Sequence, residues 1–192
     1  MGKKYEFQPD KPRSSWMSKL HLTRLQRLAL LKWVLYSLML LVLSVAQDVI
    51  LCRFRLFGAT TDLVPCGIFL ICLVEGTERG SLFALITSML YYFSGSAPGA
   101  HVMVLITVLS ITICALRQGY LQRGFAAAML CAVLFMVLYE AGVFAVALFL
   151  KVTYLERFIS FAITVGLTLI TAPILYPIFT AIGTIGGDAW KE

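Results

Sequence analysis

The chain has 192 residues, of which 60% are hydrophobic and 14% charged. A soluble domain of this length is nearer half apolar and about a quarter charged, so a water-soluble enzyme or binding domain is excluded. The net charge of +6 does not indicate nucleic acid either. Residues 1–32 carry eight basic and two acidic residues, and the rest of the chain is balanced. The whole excess precedes the first long apolar run, where basic residues hold a flank in the cytoplasm during insertion.

Residues 1–27 read as a basic cytoplasmic tail. Pro9 and Pro12 keep its first half irregular, and residues 16–27 have the spacing of a short interfacial helix with Trp16, Lys19 and Arg24. A membrane domain is predicted over 28–186, followed by a cytoplasmic tail over 187–192. The first span covers about 28–47, long enough for a hydrocarbon core of ~30 Å at 1.5 Å per residue. The second runs from Asp62 to Glu75. Thr60, Thr61 and Asp62 suit its N-cap, and Pro65 falls in its first turn, where the missing N–H costs little. Asp62 and Pro65 thus mark the helix start, and Glu75 reads as an interface charge. A polar turn over 75–80 leads to the third span, about 80–94.

Next comes SGSAPGAH, residues 94–101, a turn without Lys, Arg or acidic residues. Gly95 is placed to stop the third helix, Ser96 to cap the fourth, and Pro98 to sit in the fourth's first turn. The fourth span is about 98–116, the fifth about 124–150 and the sixth about 154–182, with Pro173 and Pro177 set to kink the last. The expected fold is an all-α integral membrane bundle of six transmembrane helices. Twelve basic residues fall on the N-terminal side of that topology and four on the other, which predicts both termini in the cytoplasm. The turn at 94–101 then lies at the outer face.

No HExxH, P-loop or GxSxG pattern is present. His21 and His101 fall on opposite sides of the membrane and cannot share a metal. His101 reads as a polar interface residue or a ligand. The five cysteines show no CxxC pair, and they read as small apolar packing residues. No catalytic residue, cofactor or metal is assigned. Glu140, within LFMVLYEAGVFAVALFL, is the sharpest residue. A carboxylate inside a span is costly and faces the bundle or a cavity. It reads as a polar lock between helices, or as a contact for a proton or ligand. Small residues such as Gly80, Ala84 and Ser88 recur on helical faces and permit close helix approach. Tyr91 and Tyr92, beside the outer turn, join Gly95, Pro98 and His101 as a candidate partner contact.

The stretch LFGATTDLVPCGIFLICLVEGTERGSLFALITSMLYYFSGSAPGAH, residues 56–101, resembles the MreD family of rod shape-determining membrane proteins. Asp62 matches the aspartate that enters an apolar helix, with Thr61 where proline is usual. Gly76 and Gly80 fit the following turn. Ser94, Gly95, Pro98 and Gly99 fit the outer segment, and Pro177 a late proline. Tyr91 and Tyr92 stand in the region where members often carry an aspartate. The layout covers about 28–185. The resemblance implies a non-enzymatic inner-membrane scaffold of the bacterial elongation complex. It works with an MreC-like protein, the MreB filament, a RodA-type glycosyltransferase and a class B penicillin-binding protein. The alternative is the substrate-binding subunit of an energy-coupling-factor vitamin transporter, which is similar in fold. That alternative requires a polar, aromatic pocket at the outer side, and such subunits commonly carry an Ala-xxx-Ala pair on the first helix, absent here.

Overall fold

The computed structural model describes residues 24–50, 59, 61–119 and 124–185. The first two-thirds of the predicted interfacial helix and the C-terminal tail lie outside them. Among the described residues six α-helices form in the predicted order: α1 (Arg24–Val45), α2 (Leu63–Glu75), α3 (Thr77–Phe93), α4 (Ala100–Gly119), α5 (Phe125–Phe149) and α6 (Phe158–Gly183). One π-helical turn, Ala46–Ile50, extends α1, and a short 3-10 turn, Leu155–Arg157, leads into α6. The regions of α1, α4, α5 and α6 are long and apolar enough to cross a membrane. The chain is a helical membrane protein. The bundle has a near end, where α1 begins, and a far end, where α1 finishes.

The architecture follows from α2. Its sequence, LVPCGIFLICLVE, is apolar all round, and all thirteen residues are buried. A helix with no polar stripe belongs in a core, and α2 packs against each of the other five helices. At 1.5 Å per residue it is only ~20 Å long, short of the ~30 Å of a hydrocarbon core. Both of its ends therefore fall inside the bundle, and both bear a carboxylate, Asp62 and Glu75.

The surrounding helices each turn one stripe toward α2. On α1 the buried stripe is Lys32, Tyr36, Leu40, Leu43 and Gln47, while Leu30, Val34, Leu38, Leu41 and Val45 are exposed on the other side. The spacing is that of one helical face, and its polar members stand at its two extremities. On α3 the small residues Gly80, Ala84 and Ser88 are buried. A Cβ on Gly80 would stand 3.1 Å from Cys114 Sγ and 3.4 Å from Cys72 Cα. Ser88 Oγ and Thr107 Oγ1 share a hydrogen bond of 3.0 Å between α3 and α4. The small-residue stripe serves packing within the chain, as membrane helices without a strong hydrophobic drive between them require.

Three local expectations are corrected. The predicted turn over 75–80 contracts to Gly76, whose φ of +93° is reached at no steric cost by glycine, and α3 already begins at Thr77. Pro98 lies ahead of α4, which starts at Ala100. Glu75 is buried. Gly95 does close α3, with φ +77° and its N–H on the Tyr92 carbonyl at 3.1 Å. The helix α6 runs unbroken through Pro173 and Pro177.

Candidate functional site

The near end of α2 is closed by charge pairing. Lys32, buried on α1, places Nζ 2.8 Å from Glu75 Oε1 and donates to the Gly183 carbonyl of α6 at 3.3 Å. Tyr36, one helical turn along α1, donates to the same Glu75 oxygen at 2.7 Å, and its hydroxyl lies 3.4 Å from the Phe179 carbonyl. The buried Arg117 guanidinium from α4 lies over Gly76, in the space a Cβ would fill. Likewise a Cβ on Gly183 would collide with Val74 Cγ1. Four helices thus meet around one ion pair, and neither Gly76 nor Gly183 has room for a side chain. This arrangement is structural, since a buried pair is costly to break once its two charges have been desolvated together.

The far end of α2 is built differently. Asp62 occupies the N-cap position, but its side chain makes no cap hydrogen bond, contrary to the expectation. The cap comes from α1: Gln47 Oε1 accepts the N–H of Val64 at 3.1 Å, and Gln47 Nε2 donates to Tyr91 Oη at 3.2 Å. The backbone N–H of Asp62 goes to Thr168 Oγ1 on α6 at 3.0 Å. With its backbone served by neighbours, the Asp62 carboxyl shares a cavity wall with the Glu140 carboxyl of α5. Glu140 is 4% exposed, and its Oε1 has no partner.

These groups line a cavity of about 380 Å³. Gln47 and Asp48 enter it from the π-helical turn, a distortion often found at functional sites. Asp62 comes from the start of α2, Glu140 and Val143 from α5, and Phe161 and Thr164 from α6. The turn after α3 closes one side with Gly95, Ser96, Ala97 and Pro98. Ser96 Oγ donates to Asp48 Oδ2 at 2.6 Å, which ties this turn to the end of α1. Three carboxyl groups and no Lys, Arg or His stand among the described residues that line the space.

The predicted site residues divide. Glu140, Asp62, Gly95 and Pro98 are brought together in the cavity wall. Pro65 sits in the first turn of α2 and is buried. Tyr91 is 4% exposed and stands behind Gln47, so it is an internal support and not a surface contact. Tyr92 is exposed and stacks on Phe93, ring centroids 5.6 Å apart. His101 folds back over Gly99, and its buried Nε2 has no partner. Sequence reasoning missed Gln47, Asp48, Thr164 and the Lys32–Tyr36–Glu75 cluster. A signal existed for two of them: Lys32 and Gln47 are the polar members of one helical face of α1, 15 residues apart.

Comparison of the chain with protein-family models, curated proteins and solved structures finds no match.

Proposed function

We propose that this chain is a non-enzymatic scaffold of the bacterial cell-wall elongation complex, an MreD-type protein of the inner membrane. The observation that supports this is where the resembling residues fall. Asp62 and Gly76 stand at the two ends of the buried central helix. Gly80 lies against it, where a Cβ would meet Cys72 Cα at 3.4 Å. Gly95 and Pro98 form the far-end turn that meets Asp62 across the cavity. The stretch that carries the resemblance is therefore the organising part of the fold.

With both termini cytoplasmic, the far end faces outward, toward the wall. The partners on this reading are an MreC-like protein, a RodA-type glycosyltransferase and a class B penicillin-binding protein. Their helices have apolar faces to pack on: Leu82, Ile86 and Phe93 of α3 and Val104, Val108 and Ile111 of α4 are exposed. A second reading, the substrate-binding subunit of an energy-coupling-factor vitamin transporter, is favoured by the polar cavity itself. Such a subunit needs a pocket at the outer side.

Depletion in a rod-shaped host separates the two. Rounded cells with normal vitamin uptake support the scaffold. Intact shape with lost uptake of one vitamin supports the transporter subunit and removes the scaffold reading. Reporter fusions after Gly95 and after Gly186 check the orientation, with an outer-side signal expected only from the first.

A further inference from the structure

We propose that the far-end cavity is a binding site for an organic cation, a protonated amine or a guanidinium on a short alkyl chain. At membrane depth an ionised carboxyl is stable only when paired, and the near end of α2 meets that need with Lys32. At the far end Asp62 and Glu140 share one cavity wall, and Asp48 stands at the rim. No cationic side chain stands among the described lining residues. Glu140 Oε1, in a side chain that is almost wholly enclosed, has no partner within the protein. A charged donor entering the cavity would satisfy that oxygen.

The rest of the wall selects the kind of cation. Among the described residues no group of three or more His, Cys, Asp or Glu is placed to hold a metal ion. The volume of about 380 Å³ lies at the lower end of small-molecule cavities, which run from roughly 300 to 1,000 Å³. Val143, Ala97 and Pro98 supply apolar surface for an alkyl chain. Phe161 supplies an aromatic ring, to whose face a cation is attracted. Amide and hydroxyl groups from Gln47 and Thr164 complete the polar side.

The test is calorimetric titration of the full chain in detergent with three probes. Agmatine represents a free cation. Nα-acetyl-arginine methylamide represents a guanidinium borne by a partner protein. The corresponding citrulline derivative is the neutral isostere. A parallel sample carries Arg53→Gln and Arg55→Gln, so that the guanidinium groups nearest in sequence to Asp48 and Asp62 cannot compete. Binding of agmatine alone supports a free cation as ligand, and binding of the capped arginine as well supports a side chain from a partner. In both cases the citrulline form binds more weakly by about tenfold or more, and Glu140→Gln lowers affinity by at least about tenfold. Asp48→Asn, at the exposed rim, lowers affinity about threefold and serves where Glu140→Gln fails to fold. No binding of either cation to either chain overturns the proposal. So does equal binding of the citrulline form, or unchanged affinity in Glu140→Gln and Asp48→Asn. The cell-shape assignment stands or falls separately, on the depletion phenotype.

Discussion

The two ends of α2 face the same physical problem. Each carries a carboxylate in a helix too short to deliver it to bulk water. At the near end the solution is complete: Glu75 takes an ammonium and a phenol on one oxygen, and the Lys32 ammonium also serves the last turn of α6. At the far end Asp62 shares a cavity with a second carboxyl, that of Glu140. An unsatisfied buried polar group in a native structure calls for an explanation, such as strain, a functional role or an ion. The contrast marks the near end as a structural lock and the far end as the candidate site, without appeal to any motif.

The largest effect is expected at the near end. Lys32→Met leaves Glu75 buried without its cation, and removal of one partner of a buried pair costs about 3–5 kcal/mol. The variant should lose most of its resistance to thermal unfolding in detergent. Adding Glu75→Leu removes the stranded charge, and the double variant should return to within about 1 kcal/mol of the parent. If Lys32→Met alone leaves the unfolding midpoint unchanged, the near end is not a structural lock.

The matching substitution at the far end should behave in the opposite way. Glu140→Gln replaces a carboxyl that has an orphaned oxygen by a neutral amide of the same shape. Replacing the buried acid relieves its desolvation, so the change in stability should be under about 1 kcal/mol or favourable, as at sites kept for function over stability. A loss near that of Lys32→Met would mean that Glu140 is a polar lock, as one reading of the sequence has it, and the two ends of α2 would then be equivalent.

Much of the fold was legible because membrane helices announce themselves by length and apolarity. The six segments fall within about four residues of their predicted bounds; at the start of α3, Thr77, Glu78 and Arg79 read as turn but form the first helical turn. Polar residues there gave no apolar signal to extend the helix. Glu140 was legible as a lone acid in an apolar run. The place of Asp62 beside it in the cavity wall was not, because Asp62 beside two threonines has the local look of a cap, and only the tertiary fold shows Gln47, 15 residues earlier in the chain, taking that place. The same holds for Lys32 and Glu75. Each sits at the edge of an apolar run, where charge reads as an interface marker, and 43 residues separate them. Pairing across that distance is a property of the bundle. Tyr91 illustrates the limit within one turn of helix: next to the exposed Tyr92 it looks like the same aromatic belt, yet helical geometry sends it inward to Gln47.

The smallest effect on stability is expected at Gly95, and it bears on what the far end meets. Its φ is +77°, a region that costs an ordinary L-residue roughly 1–2 kcal/mol, whereas aspartate and asparagine visit it more readily. A Cβ there would meet nothing within 4 Å, so Gly95→Asp should fold and accumulate at close to the parental level, with a stability loss of about 1 kcal/mol or less. The new carboxylate would stand at the mouth of a cavity already lined by Asp48, Asp62 and Glu140. If an MreC-like partner docks on this turn through apolar surface, the charge must be desolvated on binding and co-purification should fall several-fold. Pro98 and Tyr92, both exposed beside it, would share that contact, whereas Tyr91 would act only by holding Gln47. A parental protein level with undiminished co-purification would reduce the turn to a connector, and would leave the cavity behind it as the only part of the far end with a binding role.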